Sequence, residues 1–152
     1  MEKIKISTAQ FEHKSGDKDY NLSVIENLSK KASGEGSNVI AFHECSITGY
    51  TFARHLSKDQ MLDLAEFIPD GESILKLIKI AKQNDIVILG GLFEKDADNN
   101  LFKAYVCVNK NGLIAKYRKL HPFINPHITP GDNYCVFEIH GWKCGILICY
   151  DN

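Results

Sequence analysis

Three short segments hold residue types whose order suits nucleophilic chemistry. In Gly145-Ile146-Leu147-Ile148-Cys149-Tyr150-Asp151 an apolar strand runs straight into a cysteine and then turns polar. That suits a nucleophile carried on a tight strand-to-helix turn, where backbone N–H groups can bind an oxyanion. A buried, inert cysteine is the commoner fate of such a residue. Phe42-His43-Glu44-Cys45, with Gly49-Tyr50 close behind, ends a buried strand in a carboxylate that can act as a general base. An ordinary surface glutamate at a strand end is the plainer alternative. In Lys116-Tyr117-Arg118-Lys119-Leu120-His121-Pro122, a catalytic ammonium would stabilise a thiolate and a developing oxyanion. A solvated basic strand end, or a phosphate or RNA patch, competes with that reading, and spacing alone does not decide.

These segments need elements to hold them. Lys3 to Ala9 alternates polar and apolar, as a strand with one buried face does. Asp17 to Ala32 places Tyr20, Val24, Ile25, Leu28 and Ala32 at helical spacing, with Asp17 as the cap and Gly34 and Gly36 as breakers. Val39 to Phe42 and Ile86 to Gly90 are short apolar runs that predict buried strands. Between them lie a helix-like stretch after Ser57 and an amphipathic helix over Ser73 to Gln83 (Ile74, Leu75, Ile78, Ala81). Ala104 to Val108 and Leu113 to Tyr117 flank Asn-Lys-Asn-Gly, and Tyr134 to Ile139 and Trp142 to Ile148 flank His140-Gly141, so two hairpins are expected. The order strand, helix, strand, helix, strand and then hairpins predicts a layered α/β sandwich, with helices on one face of a mixed sheet.

Composition narrows the function classes. The 152 residues are one domain's worth, 44% hydrophobic and 24% charged, with 18 basic and 19 acidic residues and a net charge of −1. No general attraction to nucleic acid or to an anionic membrane is expected. The opening lacks the apolar core of a signal peptide, and no apolar run approaches ~20 residues. Five cysteines (Cys45, Cys107, Cys135, Cys144, Cys149) without framework spacing predict reduced thiols in the cytoplasm. There is no CxxC, no zincin pattern, no P-loop, no GxGxxG and no GxSxG.

Taken together, HECSITGY, KYRKLHPF and GILICYD resemble the nitrilase, or carbon–nitrogen hydrolase, superfamily, whose members carry Glu, Lys and Cys in this order. Thr8-Ala9-Gln10, Gly90-Gly91 and Pro130-Gly131 add lesser matches, and the resemblance covers essentially the whole chain. It implies the amino-terminal half of a four-layer α-β-β-α sandwich, with residues 1–152 a hydrolase domain incomplete at its C-terminus. It implies Glu44, Lys119 and Cys149 as the catalytic set, and Tyr150 and Tyr50 as substrate or oxyanion groups. The expected reaction is hydrolysis of an amide or N-carbamoyl C–N bond through a cysteine thioester, with water, a small-molecule substrate and no metal or organic cofactor. Members commonly pair their sandwiches through flat surfaces, so a homo-oligomer is expected.

Two departures from the family pattern stand out. Leu120 to Thr129 contains no carboxylate where many members place a second glutamate, and Asn125 or His127 are the candidates to replace it. Members also continue well past the nucleophile, so a further segment or a partner surface is expected to cover the second face of the sheet. Nitrile hydrolysis in the same fold, a Cys-His hydrolase using His121, His127 or His140, and a non-catalytic binding protein derived from the fold are the rival readings.

Overall fold

The computed structural model describes residues 3–152. Five strands form one sheet in sequence order: β1 (Ile6–Ala9), β2 (Val39–Phe42), β3 (Val87–Lys95), β4 (Leu101–Asn109) and β5 (Gly112–Arg118). The first three run parallel, because helices make their crossovers, and β3, β4 and β5 are antiparallel neighbours. A separate hairpin follows, β6 (Cys135–Ile139) with β7 (Trp142–Ile146).

Side-chain alternation gives the sheet two different faces. One carries Ile40, Phe42, Ile88, Leu92, Ala104, Val106 and Val108 against α1 (Lys18–Gly34) and α3 (Glu72–Asn84). The other carries Val39, Val87, Cys107, Ala115 and Tyr117, and the β6–β7 hairpin packs on it through Phe137, Ile139, Ile146 and Ile148. Helix layer, sheet and hairpin layer thus stack in the order α-β-β, the amino-terminal half of the sandwich expected. Among the described residues no helix is long and apolar enough to cross a membrane.

Local chemistry explains the element ends, with some corrections. Asp17 caps α1 by accepting from the Tyr20 amide at 2.9 Å, and Ser57 and Gln60 form a reciprocal capping box on α2 (Lys58–Leu64). The helix stripes are rotated from those read in the sequence. In α1 Asn21, Leu22, Ile25, Ser29 and Ala32 are buried and Tyr20 is exposed; in α3 Ile74, Leu77, Ile80 and Ala81 are buried while Leu75 faces outward. The β4–β5 turn is Lys110-Asn111, with the positive φ on Gly112 (136°) and not on Asn111. In the β6–β7 turn both His140 (φ 49°) and Gly141 (φ 78°) are left-handed, matching the strand twist.

The loop after β2 is held from both sides. Ile47 donates its amide to the Gly91 carbonyl at 3.0 Å, Gly91 donates to Ser46 Oγ at 3.2 Å, and the buried Asn21 donates to the Ile47 carbonyl at 2.9 Å. The approach to β3 is so close that a Cβ on Gly91 would lie 2.5 Å from the Cys45 nitrogen. Gly91→Ala is therefore expected to cost about 1–3 kcal/mol, since backbone would have to yield. Gly34→Ala, whose Cβ meets nothing within 4 Å, is expected to stabilise by about 0.5–1 kcal/mol. Urea midpoints that shift in opposite directions check this; a Gly91→Ala midpoint equal to wild type would contradict the tight docking.

Candidate active site

The basic run 116–119 is sorted by strand alternation. Lys116 and Arg118 point to the helix side and bind the buried Glu94, at 2.6 Å for Lys116 and at 2.9 and 2.7 Å for Arg118. They are consumed by that ion pair, which argues against a phosphate or RNA patch. Tyr117 and Lys119 point to the other face. Lys119, just past the end of β5, donates its backbone amide to the Lys103 carbonyl at 2.8 Å, so Lys103 of β4 and Lys119 are cross-strand neighbours. The Gly131 amide in turn donates to the Lys119 carbonyl at 2.8 Å, and a Cβ there would strike the Arg118 carbonyl. That contact gives the Pro130-Gly131 match its physical reason.

Both lysines are buried, Lys119 at 0% and Lys103 at 1% exposure. Two adjacent buried ammonium groups repel, and isolated buried charge is costly. Glu44 answers both. Its Oε1 accepts from Lys119 Nζ at 2.8 Å and from Lys103 Nζ at 3.1 Å. The Lys103 ammonium also lies 4.1 Å from the Tyr50 ring centroid and 5.2 Å from that of Phe123, within cation–π range. The Tyr50 ring thus packs against the Lys103 ammonium, and burial first, then Glu44, raises the pKa of its phenol.

Cys149 follows β7 at φ 47°, a left-handed conformation, and opens a 3₁₀ turn, Cys149–Asp151. It shares with Glu44 a cavity of about 210 Å³, walled by Phe42, Leu89 and Tyr105 on one side and by residues 145–148 on the other. The turn's hydrogen bonds run from Asp151 to the Ile148 carbonyl and from Asn152 to the Cys149 carbonyl, leaving the Tyr150 amide outside them. The Tyr150 side chain is exposed and meets Phe123 edge-on. Among the five thiols only Cys149 is exposed. Burial pushes Cys45 and Cys107 each up to about 12, and raises Cys135 as well.

No histidine hydrogen-bonds Cys149 among the described residues. His121 Nδ1 lies 3.2 Å from Asp151 Oδ1, and His140 is in the β6–β7 turn. Nor is Asn125 free to stand in for a second glutamate. Asn125 is spent on the carbonyls of Ala53 (2.8 Å) and Leu56 (3.0 Å) and on the His127 amide (2.9 Å). Among the described residues no group of three or more His, Cys, Asp or Glu is placed to hold a metal ion.

Two contributors escaped the sequence reading, Lys103 and Asp151. Asp151 accepts from the Tyr117 hydroxyl (2.7 Å), the His121 amide (2.9 Å) and the Ile148 amide (3.2 Å), tying the turn that bears Cys149 to β5 and to the 120s loop. Burial pushes its carboxyl upward, but the bonds from Tyr117, His121 and Ile148 outweigh this and hold it below the ordinary value of 3.8. With a folded pKa below the unfolded one, the stability it contributes is present above pH ~4 and lost as pH falls through the folded value. Asp151→Asn should therefore cost about 1–2 kcal/mol at neutral pH. The gap from wild type should close as acid is added, as read from denaturant midpoints across pH; a gap that is independent of pH would contradict this role.

Comparison with known proteins agrees with this architecture. The carbon–nitrogen hydrolase family model matches residues 5–152. A protein named nitrilase from Pyrococcus abyssi is 33% identical over 151 residues, covering 97% of this chain and 56% of its own length. Omega-amidase NIT2 of Xenopus tropicalis is 31% identical over 163 residues, covering 99% and 56%. The crystal structure of Saccharomyces cerevisiae Nit3, described as a member of branch 10 of the nitrilase superfamily, superposes with a TM-score of 0.83 at 25% identity, over 97% of this chain and 56% of Nit3. The chain thus spans little more than half the length of these relatives, and it belongs to the carbon–nitrogen hydrolase family.

Proposed function

We propose that this chain carries the nucleophile half of a hydrolase that cleaves the C–N bond of a small amide or N-carbamoyl compound through a thioester on Cys149. The observation that carries the reading is that Glu44, bound by the Lys119 ammonium at 2.8 Å, lines the same cavity as Cys149. Glu44 takes the thiol proton, and the sulfur attacks the carbonyl carbon. The oxyanion that forms is met by Lys119, which keeps N–H donors beyond the one given to Glu44, and by the Tyr150 amide. One such donor is worth about 10²–10³ in rate. Glu44 returns its proton to the departing nitrogen, so that ammonia or an amine leaves and an acylated sulfur remains. Water, deprotonated by Glu44, then releases the carboxylic acid and the thiol. The Tyr50 phenol stands beside Lys103 as a donor to bound substrate. The chemistry draws on side chains and backbone alone; one relative's name, omega-amidase, supports an amide substrate, and the other's, nitrilase, supports a nitrile as the alternative.

Ammonia release from a panel of amides, N-carbamoyl amino acids and nitriles tests the class directly. Amides or carbamoyl compounds should turn over, and Cys149→Ala should abolish release. Glu44→Gln should lower it by about 10²–10⁴, the range for a general acid–base group. Retained turnover in Glu44→Gln together with loss in His121→Ala would instead support a Cys-His hydrolase. Limiting iodoacetamide should label Cys149 before Cys45, Cys107, Cys135 and Cys144, as mapped by peptide mass; preferential labelling of another thiol would overturn the nucleophile assignment.

A further inference from the structure

We propose that Lys103 is a positioning residue for the general base: with Lys119 it clamps one oxygen of Glu44 and thereby assigns the proton transfer to the other. This inference rests on the role given to Glu44 and Cys149 above and goes beyond it. Both ammonium groups donate to Oε1, at 2.8 and 3.1 Å, while Oε2 accepts no hydrogen bond among the described residues. A carboxylate held at one oxygen by two donors from adjacent strands has little freedom to rotate, so Oε2 has a fixed direction. Glu44 is also the partly open member of the cluster, with 18% of its side chain exposed against 1% for Lys103 and 0% for Lys119.

Lys103 is assigned the supporting place because its buried ammonium is engaged by Glu44 and by two rings, lying 4.1 Å from the Tyr50 centroid and 5.2 Å from that of Phe123. Its effect passes through Glu44: the Cys149 S–H proton moves to Oε2, leaving a thiolate and a carboxylic acid, and the two lysines hold Oε1 in place throughout. The proton stays within the site, so the positive charge of Lys103 persists through the step and offsets the negative charge that grows on sulfur and then on the substrate oxygen. A positioning error of ~1 Å at such a base can cost about 10² in rate. Lys103 therefore matters although it touches no reacting atom.

The test is a double-mutant cycle read by the rate of Cys149 alkylation by iodoacetamide, in wild type, Lys103→Met, Glu44→Gln and the double variant. Lys103→Met should slow alkylation about tenfold in the Glu44 background and change it by less than about twofold in the Glu44→Gln background, because the two residues act as one unit. Lys103→Arg should recover most of the rate, and thermal melting monitors folding. Should Lys103→Met not fold, Lys103→Gln, which keeps a donor but no charge, carries the same comparison. Wild-type speed in Lys103→Met, or equal losses in both backgrounds, overturns the positioning role alone. A wild-type Cys149 no faster than Cys144 overturns the hydrolase reading, and this one with it.

Discussion

The site depends on one electrostatic constraint: two lysines at neighbouring positions of adjacent strands, both excluded from water, share a single carboxylate. Lys103 and Lys119 cannot sit side by side on a buried face without an anion between them. Removing one partner of a buried ion pair typically costs about 3–5 kcal/mol, which is the scale of penalty Glu44 averts. The loop after β2 is therefore fixed by more than packing. Gly91 lets its backbone touch β3, Asn21 holds it from α1, and the two ammonium groups draw Glu44 over the edge of β4 and β5.

The same sheet serves two unlike purposes because its side chains alternate. On the helix side Glu94 collects Lys116 and Arg118 into a structural ion pair beside the apolar core. One residue further along each strand, the opposite face gathers Lys103, Tyr105, Tyr117 and Lys119, and there the β6–β7 hairpin brings Cys149. Asp151 completes the arrangement: its carboxylate joins the turn that bears Cys149 to Tyr117 of β5, so Glu44, Lys119 and Cys149 are referenced to the same two strands. Rigid strands with hydrogen-bonded supports are what a reaction sensitive to small displacements needs.

Much of this was legible in the residues. Asp17 as a cap, the helix at 73–83, both hairpins and the strand runs follow from local chemistry, and Glu44, Lys119 and Cys149 stood out because three motifs occurred together. What escaped shows where local patterns stop. The helix stripes were misplaced because Asn21 and Ser29 are buried by tertiary contacts that hydropathy ignores. The strand after Ile86 runs on to Lys95 because its pairing with β4, and not its own composition, sets its length. Asn125 suggested chemistry by its position but is occupied by the carbonyls of Ala53 and Leu56, some seventy residues distant in the chain. Lys103 belongs to no motif. It did leave a signal, a lysine inside the apolar run Leu101-Phe102-Lys103-Ala104, since a charge in a buried strand requires a partner.

Trapping an acyl group on the protein tests directly whether Cys149 is the nucleophile. The protein is mixed with an amide that turns over, quenched in acid within the first turnovers, digested and mapped by mass. The acyl group is expected on the peptide containing Cys149, present in wild type, absent in Cys149→Ala and strongly reduced in Glu44→Gln. Product formation with no acyl adduct on Cys149 at any quench time, or an adduct on another residue, would contradict it.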